Sequence, residues 1–336
     1  MMTCWLPGVR AEDAASREAQ EAVLRVLDRA FCAPNEIFPQ PNSWIEQPIR
    51  PDRWAKDGAL AVTLDQQIHQ LLLPEITRYA REHDLDIRVR EGTCGTSAGL
   101  VSRKAVDIGG FCCPPGKSDR LPGLTFHTLG IASIAILAHP ENPLEGLTLD
   151  QLKGMFQGRQ RLWSELGEVS GKSAPAWEIQ PVGRLHCKLR PGHWRALLWD
   201  PDDFSPRMEE VGTIPDMIQR VLAQRGGIGY ETLWHVNHFA ERFPEKGRPR
   251  ALRLDGVAPD DVPALLQGRY PFYHVFNLTL WEGEGVANPR ARALVEHLVK
   301  AVEGMDPRMS MIPAAALRQA GWQFQKEELV GAPPRP

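Results

Sequence analysis

Residues 58–110 read GALAVTLDQQIHQLLLPEITRYAREHDLDIRVREGTCGTSAGLVSRKAVDIGG, and their periodicity decides the fold class. Leu60-Ala61-Val62 is a short apolar strand. From Asp65 to Glu82, Ile68, Leu71, Leu72, Leu73, Ile76 and Tyr79 recur at helical spacing, and Pro74 is expected to kink that helix. Ile87 to Arg90 is a second strand. A Gly-rich turn, Gly92 to Gly99, leads into a helix ending near Lys104, and Val106 to Gly110 is a third strand. Strand, helix, strand, helix, strand in one run predicts an α/β unit with a parallel sheet.

The same pattern continues C-terminally. Leu124 to Ala138 supplies strands, Thr148 N-caps a helix over Leu149 to Phe156, and Trp163 lies in a turn. Ile179 to Val182 is a strand, Arg195 to Asp200 and Asp216 to Gln224 are helical, and Gly226 to Tyr230 turns into a strand. Tyr273 to Trp281 is a strand run and Arg290 to Glu303 a helix. On the N-terminal side, residues 12–31 form an amphipathic helix, and the Pro-rich stretch Ala33 to Pro51 reads as extended linker. Residues 326–336 read as a flexible tail.

Composition narrows the function classes. The 336 residues carry 39 Lys+Arg against 42 Asp+Glu, so no net charge draws the chain to nucleic acid or anionic membrane. The most apolar stretch, Leu129 to Ala138, is too short to span a bilayer. The N-terminus MMTCWLPGVRAEDA lacks the basic and apolar regions of a secretory signal. No Walker loop, Ser-His-Asp order or paired-carboxylate arrangement stands out, so an enzyme is not expected. Six cysteines, Cys4, Cys32, Cys94, Cys112, Cys113 and Cys187, contain no C-x-x-C pair.

Four segments occur in a recognisable order: EGTCGTSAG at 91–99, VDIGGFCCP at 106–114, NPLEGLTLDQLKGMFQG at 142–158 closing with LWSELG at 162–167, and VGR at 182–184 followed by GIGY at 227–230. This order resembles the phosphate-binding subunit of ABC transporters, in the type II periplasmic-binding-protein superfamily, from about Gly58 to Met305. The resemblance implies two α/β lobes joined by crossing strands, with solute held in the cleft between them. It places lobe one at 58–130 plus 235–325 and lobe two at 131–234, after an N-terminal extension of 1–57. It also implies a periplasmic location and a permease partner.

Carried over position by position, the resemblance makes Thr96, Ser97 and Arg184 the ligand-binding residues for a small anion. Other positions depart from the family pattern. The first loop is Val62-Thr63-Leu64-Asp65-Gln66, where Asp65 would repel an anion. The second is Cys112-Cys113, and the third runs on through His186-Cys187-Lys188-Leu189-Arg190-Pro191-Gly192-His193.

On the family's loops, Cys94, Cys112, Cys113 and Cys187 meet at the cleft. Three readings compete: burial as small hydrophobes, disulfides in an oxidising compartment, and a thiolate site. The density of thiols on Gly-rich loops favours the third, with Cys94, Cys112, Cys113 and Cys187, and with His186 or His193 as a substitute ligand. An iron–sulfur cluster, of the 4Fe-4S type, is favoured over a copper or zinc ion. Cys4 and Cys32 are a candidate disulfide pair. The leading expectation is a solute-binding-type protein whose cleft carries cysteine-ligated metal. The alternatives are a receptor for phosphate or a related oxyanion with structural cysteines, and a periplasmic sensor or electron-transfer partner.

Overall fold

The computed structural model describes residues 34–169, 172–185, 196–306 and 311–333. The expected helix at 12–31, the Cys4–Cys32 pair and the 186–193 part of the third loop lie outside the described residues. In chain order the helices are α1 (Asn42–Ile45), α2 (Gln66–Glu82), α3 (Cys94–Ser102), α4 (Leu149–Gln157), α5 (Ile214–Ala223), α6 (Leu233–Arg242), α7 (Val262–Leu266), α8 (Pro289–Glu303) and α9 (Ala314–Gln319). The strands are β1 (Leu60–Asp65), β2 (Ile87–Gly92), β3 (Ile108–Phe111), β4 (Leu124–Ala138), β5 (Gly146–Leu147), β6 (Glu168–Val169), β7 (Lys172–Ser173), β8 (Gln180–Gly183), β9 (Glu209–Glu210), β10 (Gly227–Thr232), β11 (Arg250–Leu254), β12 (Tyr273–Trp281), β13 (Ile312–Pro313), β14 (Gln323–Gln325) and β15 (Glu328–Gly331).

Local chemistry sets the helix starts. The Asp65 carboxylate accepts from the Gln67 amide at the start of α2, and Thr148 with Gln151 closes a reciprocal capping box on α4. Gly158, at φ 77°, ends α4 in the left-handed conformation that a side chain would disfavour. Thr213, Thr232 and Asn288 cap α5, α6 and α8 in the same way as Asp65. Glycines permit one close approach: a Cβ on Gly109 would lie 2.5 Å from Val101 Cγ2, and one on Gly110 would lie 2.6 Å from Leu64 Cδ2. Their absence of side chains lets α3 and β1 close onto β3.

The principal sheet runs β2-β1-β3-β12-β4-β10-β8-β9. β1 is parallel to β2 and β3, and β10 is parallel to β8, as the alternating strand–helix pattern predicts. The two parallel halves are joined by an antiparallel pair, β4 and β12, that runs from Tyr273 opposite Ser133 to Trp281 opposite Leu124, with a one-residue register shift between Phe276 and Asn277. Two hydrophobic cores lie on either side. One gathers residues from 55–132 and 276–311, and the other residues from 131–275 and 312–329. The implied lobe boundaries differ from this partition: 233–275 and 312–329 pack with the second core, because α6, β11 and α9 lay their apolar faces on the 131–138 half of β4.

Several expectations are corrected. The stretch read as linker contains α1. The Gly-rich turn is only a corner, because Thr93 caps a helix that already begins at Cys94. Residues 197–200 are turn and bend rather than helix. The tail is not free through 331, since β14 and β15 form a hairpin. Arg120 clamps that hairpin with a bidentate pair to Glu328, at 2.6 and 3.1 Å, and the Leu329 amide donates to Thr128 Oγ1. The fully buried Trp163 donates its indole N–H to the Gly226 carbonyl, pinning the turn after α4 to the start of β10.

Two outcomes follow. Arg120→Ala strands a mostly buried carboxylate and is expected to lower the unfolding free energy by about 3 kcal/mol, read by urea denaturation; a change below about 1 kcal/mol would match a surface pair instead. His235, in the first turn of α6, has its imidazole held well below the usual range, first by burial and then by the nearby Arg184, His274 and His238. The unfolded chain therefore binds a proton that the folded one refuses. Stability is complete above the unfolded value of about 6.5 and falls as pH drops through it toward the depressed folded value. His235→Gln should flatten the decline in melting temperature between about pH 7 and pH 5, and an unchanged slope would reject this assignment.

Candidate functional site

The site is assembled where β1, β3 and α3 of the first core meet β10 and the end of β8 from the second. Cys94 is the first residue of α3, and Cys112 and Cys113 directly follow β3. All three are at most 1% exposed. Their sulfurs converge: Cys94 Sγ lies 3.2 Å from Cys112 Sγ, Cys112 Sγ lies 3.7 Å from Cys113 Sγ, and all three fall within 4.8 Å of one another. These separations exceed the roughly 2.0 Å of a disulfide bond. The Cys112 amide donates to Cys94 Sγ at 3.2 Å. β12 holds the loop from behind, with His274 Nδ1 at 3.0 Å from the Cys112 carbonyl and Asn277 Nδ2 donating to the Cys113 carbonyl.

Polar side chains of β1, α2, α3, β10 and the end of β8 form two hydrogen-bonded sets. The Ser97 hydroxyl lies 3.3 Å from that of Thr63 on β1. Two residues along β1, Asp65 Oδ1 accepts from the Gln67 amide, and Gln67 Nε2 donates to Glu231 Oε1 on β10 at 2.8 Å. Glu231 Oε2 accepts from Arg184 Nη1 at 2.9 Å, with the two side chains 1% and 0% exposed. The Arg184 amide donates to the Tyr230 hydroxyl, whose own proton loss is pushed up mainly by burial. Four buried atoms of these sets have no hydrogen-bond partner among the described residues: Arg184 Nε and Nη2, which are donors, and Asp65 Oδ2 and Gln67 Oε1, which are acceptors. A surface groove of about 650 Å³ lined by Glu145, Arg248, Arg250 and Arg253 shares none of these side chains.

The structure brings together Cys94, Cys112 and Cys113; separately, Ser97 pairs with Thr63 on β1, and Arg184 is joined through Glu231 to Gln67, whose amide is held by Asp65 two residues after Thr63 on β1. Thr96 is half-buried and turns back on its own helix cap, with its amide and hydroxyl both on Thr93 Oγ1. Cys187, His186 and His193 lie outside the described residues. Sequence reasoning missed Gln67 and Glu231. Their only signal was position, Gln67 just inside a capped helix and Glu231 directly after the Gly-Ile-Gly-Tyr turn. Asp65 was read as a charge repelling an anion, and the structure shows it also caps α2.

No family model matches the chain. It is 24% identical over 235 residues, 68% of its own length and 73% of the relative's, to the phosphate-binding protein PstS of Bacillus subtilis. Among solved structures it is similar to an ABC-type phosphate transport receptor from Vibrio cholerae, with TM-score 0.59 and 15% identity over 76% of this chain and 100% of that one. It is also similar to a protein from Clostridium perfringens described as a phosphate ABC transporter substrate-binding protein with bound phosphate, at TM-score 0.62 and 16% identity over 76% and 99%. These relatives are binding proteins by name, in keeping with the expectation of a receptor rather than an enzyme. The chain has the two-lobed type II periplasmic-binding-protein fold and is similar in sequence to a phosphate-binding protein.

Proposed function

We propose that the protein is an extracytoplasmic receptor that holds a protonated oxyanion of the phosphate class in the cleft between its lobes and presents it to an ABC-transporter permease. The observation that supports this is the set of four partnerless atoms. A buried polar atom without a partner costs about 1–3 kcal/mol, so two donors on Arg184 and two acceptors on Asp65 and Gln67 imply a ligand that supplies both kinds of partner. A hydrogen phosphate does so: its oxygens accept from Arg184 and the Ser97 hydroxyl, and its O–H donates to Asp65 or Gln67. Sulfate has no proton at neutral pH to give. The α3 N-terminus adds a favourable dipole for negative charge. Arg184 and Glu231 on one lobe and Asp65, Gln67 and Ser97 on the other would close around the ligand by hinge motion.

The three cysteines support a second reading, in which the cleft holds a thiophilic metal. Soft thiolates suit copper, zinc or an iron–sulfur cluster. Three sulfurs this close favour one bound atom over a four-iron cluster, whose irons each take a separate cysteine. A sensor or electron-transfer role would follow from that reading.

Calorimetric titration of the full chain separates the two. Phosphate is expected to bind and sulfate to bind at least about tenfold more weakly. Arg184→Met should cost about 1.5–3 kcal/mol, a loss of roughly tenfold to a hundredfold in phosphate affinity. Asp65→Asn should narrow the preference for phosphate over sulfate. Equal binding of the two anions, or none of either, would remove the oxyanion reading.

A further inference from the structure

The first turns of α2 and α6 meet between the lobes. α2 belongs to the first core through Ile68, Leu72 and Ile76, and α6 to the second through Leu233, Val236 and Phe239. A contact between these turns therefore ties one lobe to the other. Gln67 Nε2 donates to Glu231 Oε1 at 2.8 Å, and the same oxygen accepts from the Thr232 amide at 2.8 Å. His235, one turn further along α6, faces the main chain of Gln66. We propose that His235 is a pH-sensitive latch on the cleft: neutral, it lets the first turns of α2 and α6 dock, and protonated, it drives them apart so that the receptor gives up its solute. The latch deepens the oxyanion-receptor reading, on which its link to solute release rests.

The ring is fixed in place. It is 3% exposed, and Nδ1 lies 2.5 Å from the hydroxyl of Thr232, the residue that caps α6. Nε2 is buried with no hydrogen-bond partner among the described residues. An imidazolium carries N–H on both nitrogens, so it needs an acceptor at each. His235 is the third residue of α6 and Gln66 the first of α2, which sets the ring at the positive end of two helices.

The charges around it point the same way. Arg184 at the end of β8, His274 on β12 and His238 on α6 all oppose a further positive charge, and burial opposes it more than any of them. The Gln66 main chain favours the proton and is outweighed. α2 offers only uncharged Gln66 and Gln70 to the ring, and α5 only apolar residues such as Ile218. The carboxylates at this contact are engaged, Glu231 by Arg184, Gln67 and Thr232, and Asp65 by the Gln67 amide. A crevice of about 30 Å³ between α2, α5 and α6, with Arg242 at its edge, reaches the ring and has room for a water that carries the proton.

The sign follows from linkage. In the closed form the ring refuses a proton that it accepts, once solvated in the open form, near its ordinary value of about 6.5. Closure in mild acid therefore expels one proton from His235 to solvent, and falling pH favours the open form. Below about pH 6.5 the ratio of closed to open chains drops by up to about tenfold per pH unit, until the depressed value is reached.

Small-angle X-ray scattering of the full chain reads closure directly, with circular dichroism confirming that the chain stays folded. Between about pH 7.5 and pH 5.5 the radius of gyration should rise, in the ligand-free chain and with phosphate present. His235→Gln keeps a donor and an acceptor but does not titrate, and its dimensions should stay constant. Calorimetry gives a second reading, since the ionisation of phosphate itself is common to both proteins. The association constant of the unmutated chain, divided by that of His235→Gln, should fall by up to about tenfold over the same range. Constant dimensions in the unmutated chain, equal expansion in His235→Gln, or a ratio that is flat or rises in acid overturns the latch. If His235→Gln does not fold, the imidazole resonance of His235 is titrated in the unmutated chain. Protonation and expansion at the same pH then support the latch, and either one without the other overturns it. Failure of phosphate to bind at pH 7.5 sinks the oxyanion reading alone, and the scattering of the ligand-free chain still decides the latch.

Discussion

The structure depends on one pairing, the long antiparallel ladder of β4 with β12. β4 is 15 residues long and contributes to both cores, with Leu129 and Ala132 on one side and Ile134, Ile136 and Leu137 on the other. β12 divides in the same way, Tyr273 and Val275 from Leu278 and Leu280. The parallel units on either side are therefore tethered through these two strands. Backbone hydrogen bonds hold the pair together, while each lobe keeps its own packed interior. Relative motion of the lobes needs changes only where the strands pass between the cores.

The cleft gathers partnerless buried polar atoms on Asp65, Gln67 and Arg184. Elsewhere many buried polar groups are satisfied in place, as Arg120 is by Glu328 and Thr128 by Asn277, although single atoms such as Trp54 Nε1, Asn142 Nδ2 and Gln160 Oε1 also lack a partner among the described residues. In the cleft, Arg184 meets only part of its capacity at Glu231, and Asp65 keeps one oxygen for its helix cap and one without a partner. A protein that needed only a closed core would have little reason to bury such a set. The thiols next to it are also clustered rather than dispersed through the core. α3 carries a member of each group, Cys94 at its first residue and Ser97 one turn later.

Much of the fold was legible because its signals are local. The 3.6-residue period of α2 and α8, the capping residue Thr148, and the largely apolar runs of β4 and β12 each act within a few positions. The start of α3 was missed because Gly92, Gly95 and Gly99 read as turn, while the Thr93 cap and packing against β1 and β3 made helix. The C-terminal hairpin was missed because its stability comes from Arg120 and Thr128, some two hundred residues away in sequence. At the site, Cys94, Cys112 and Cys113 could be grouped from the resemblance. Gln67 and Glu231 could not, since nothing near either residue signals the other, 164 positions distant.

By itself the sequence determined the α/β class, most of the elements and the loops from which a cleft is built, because periodicity, caps and apolar runs are properties of neighbouring residues. The tertiary structure decided where the cores divide, which sulfurs touch, and how Arg184 is held. Those outcomes are set by packing between segments far apart in the chain. A residue's partner there depends on how whole elements dock, and the residue's own neighbours in sequence carry no record of that docking.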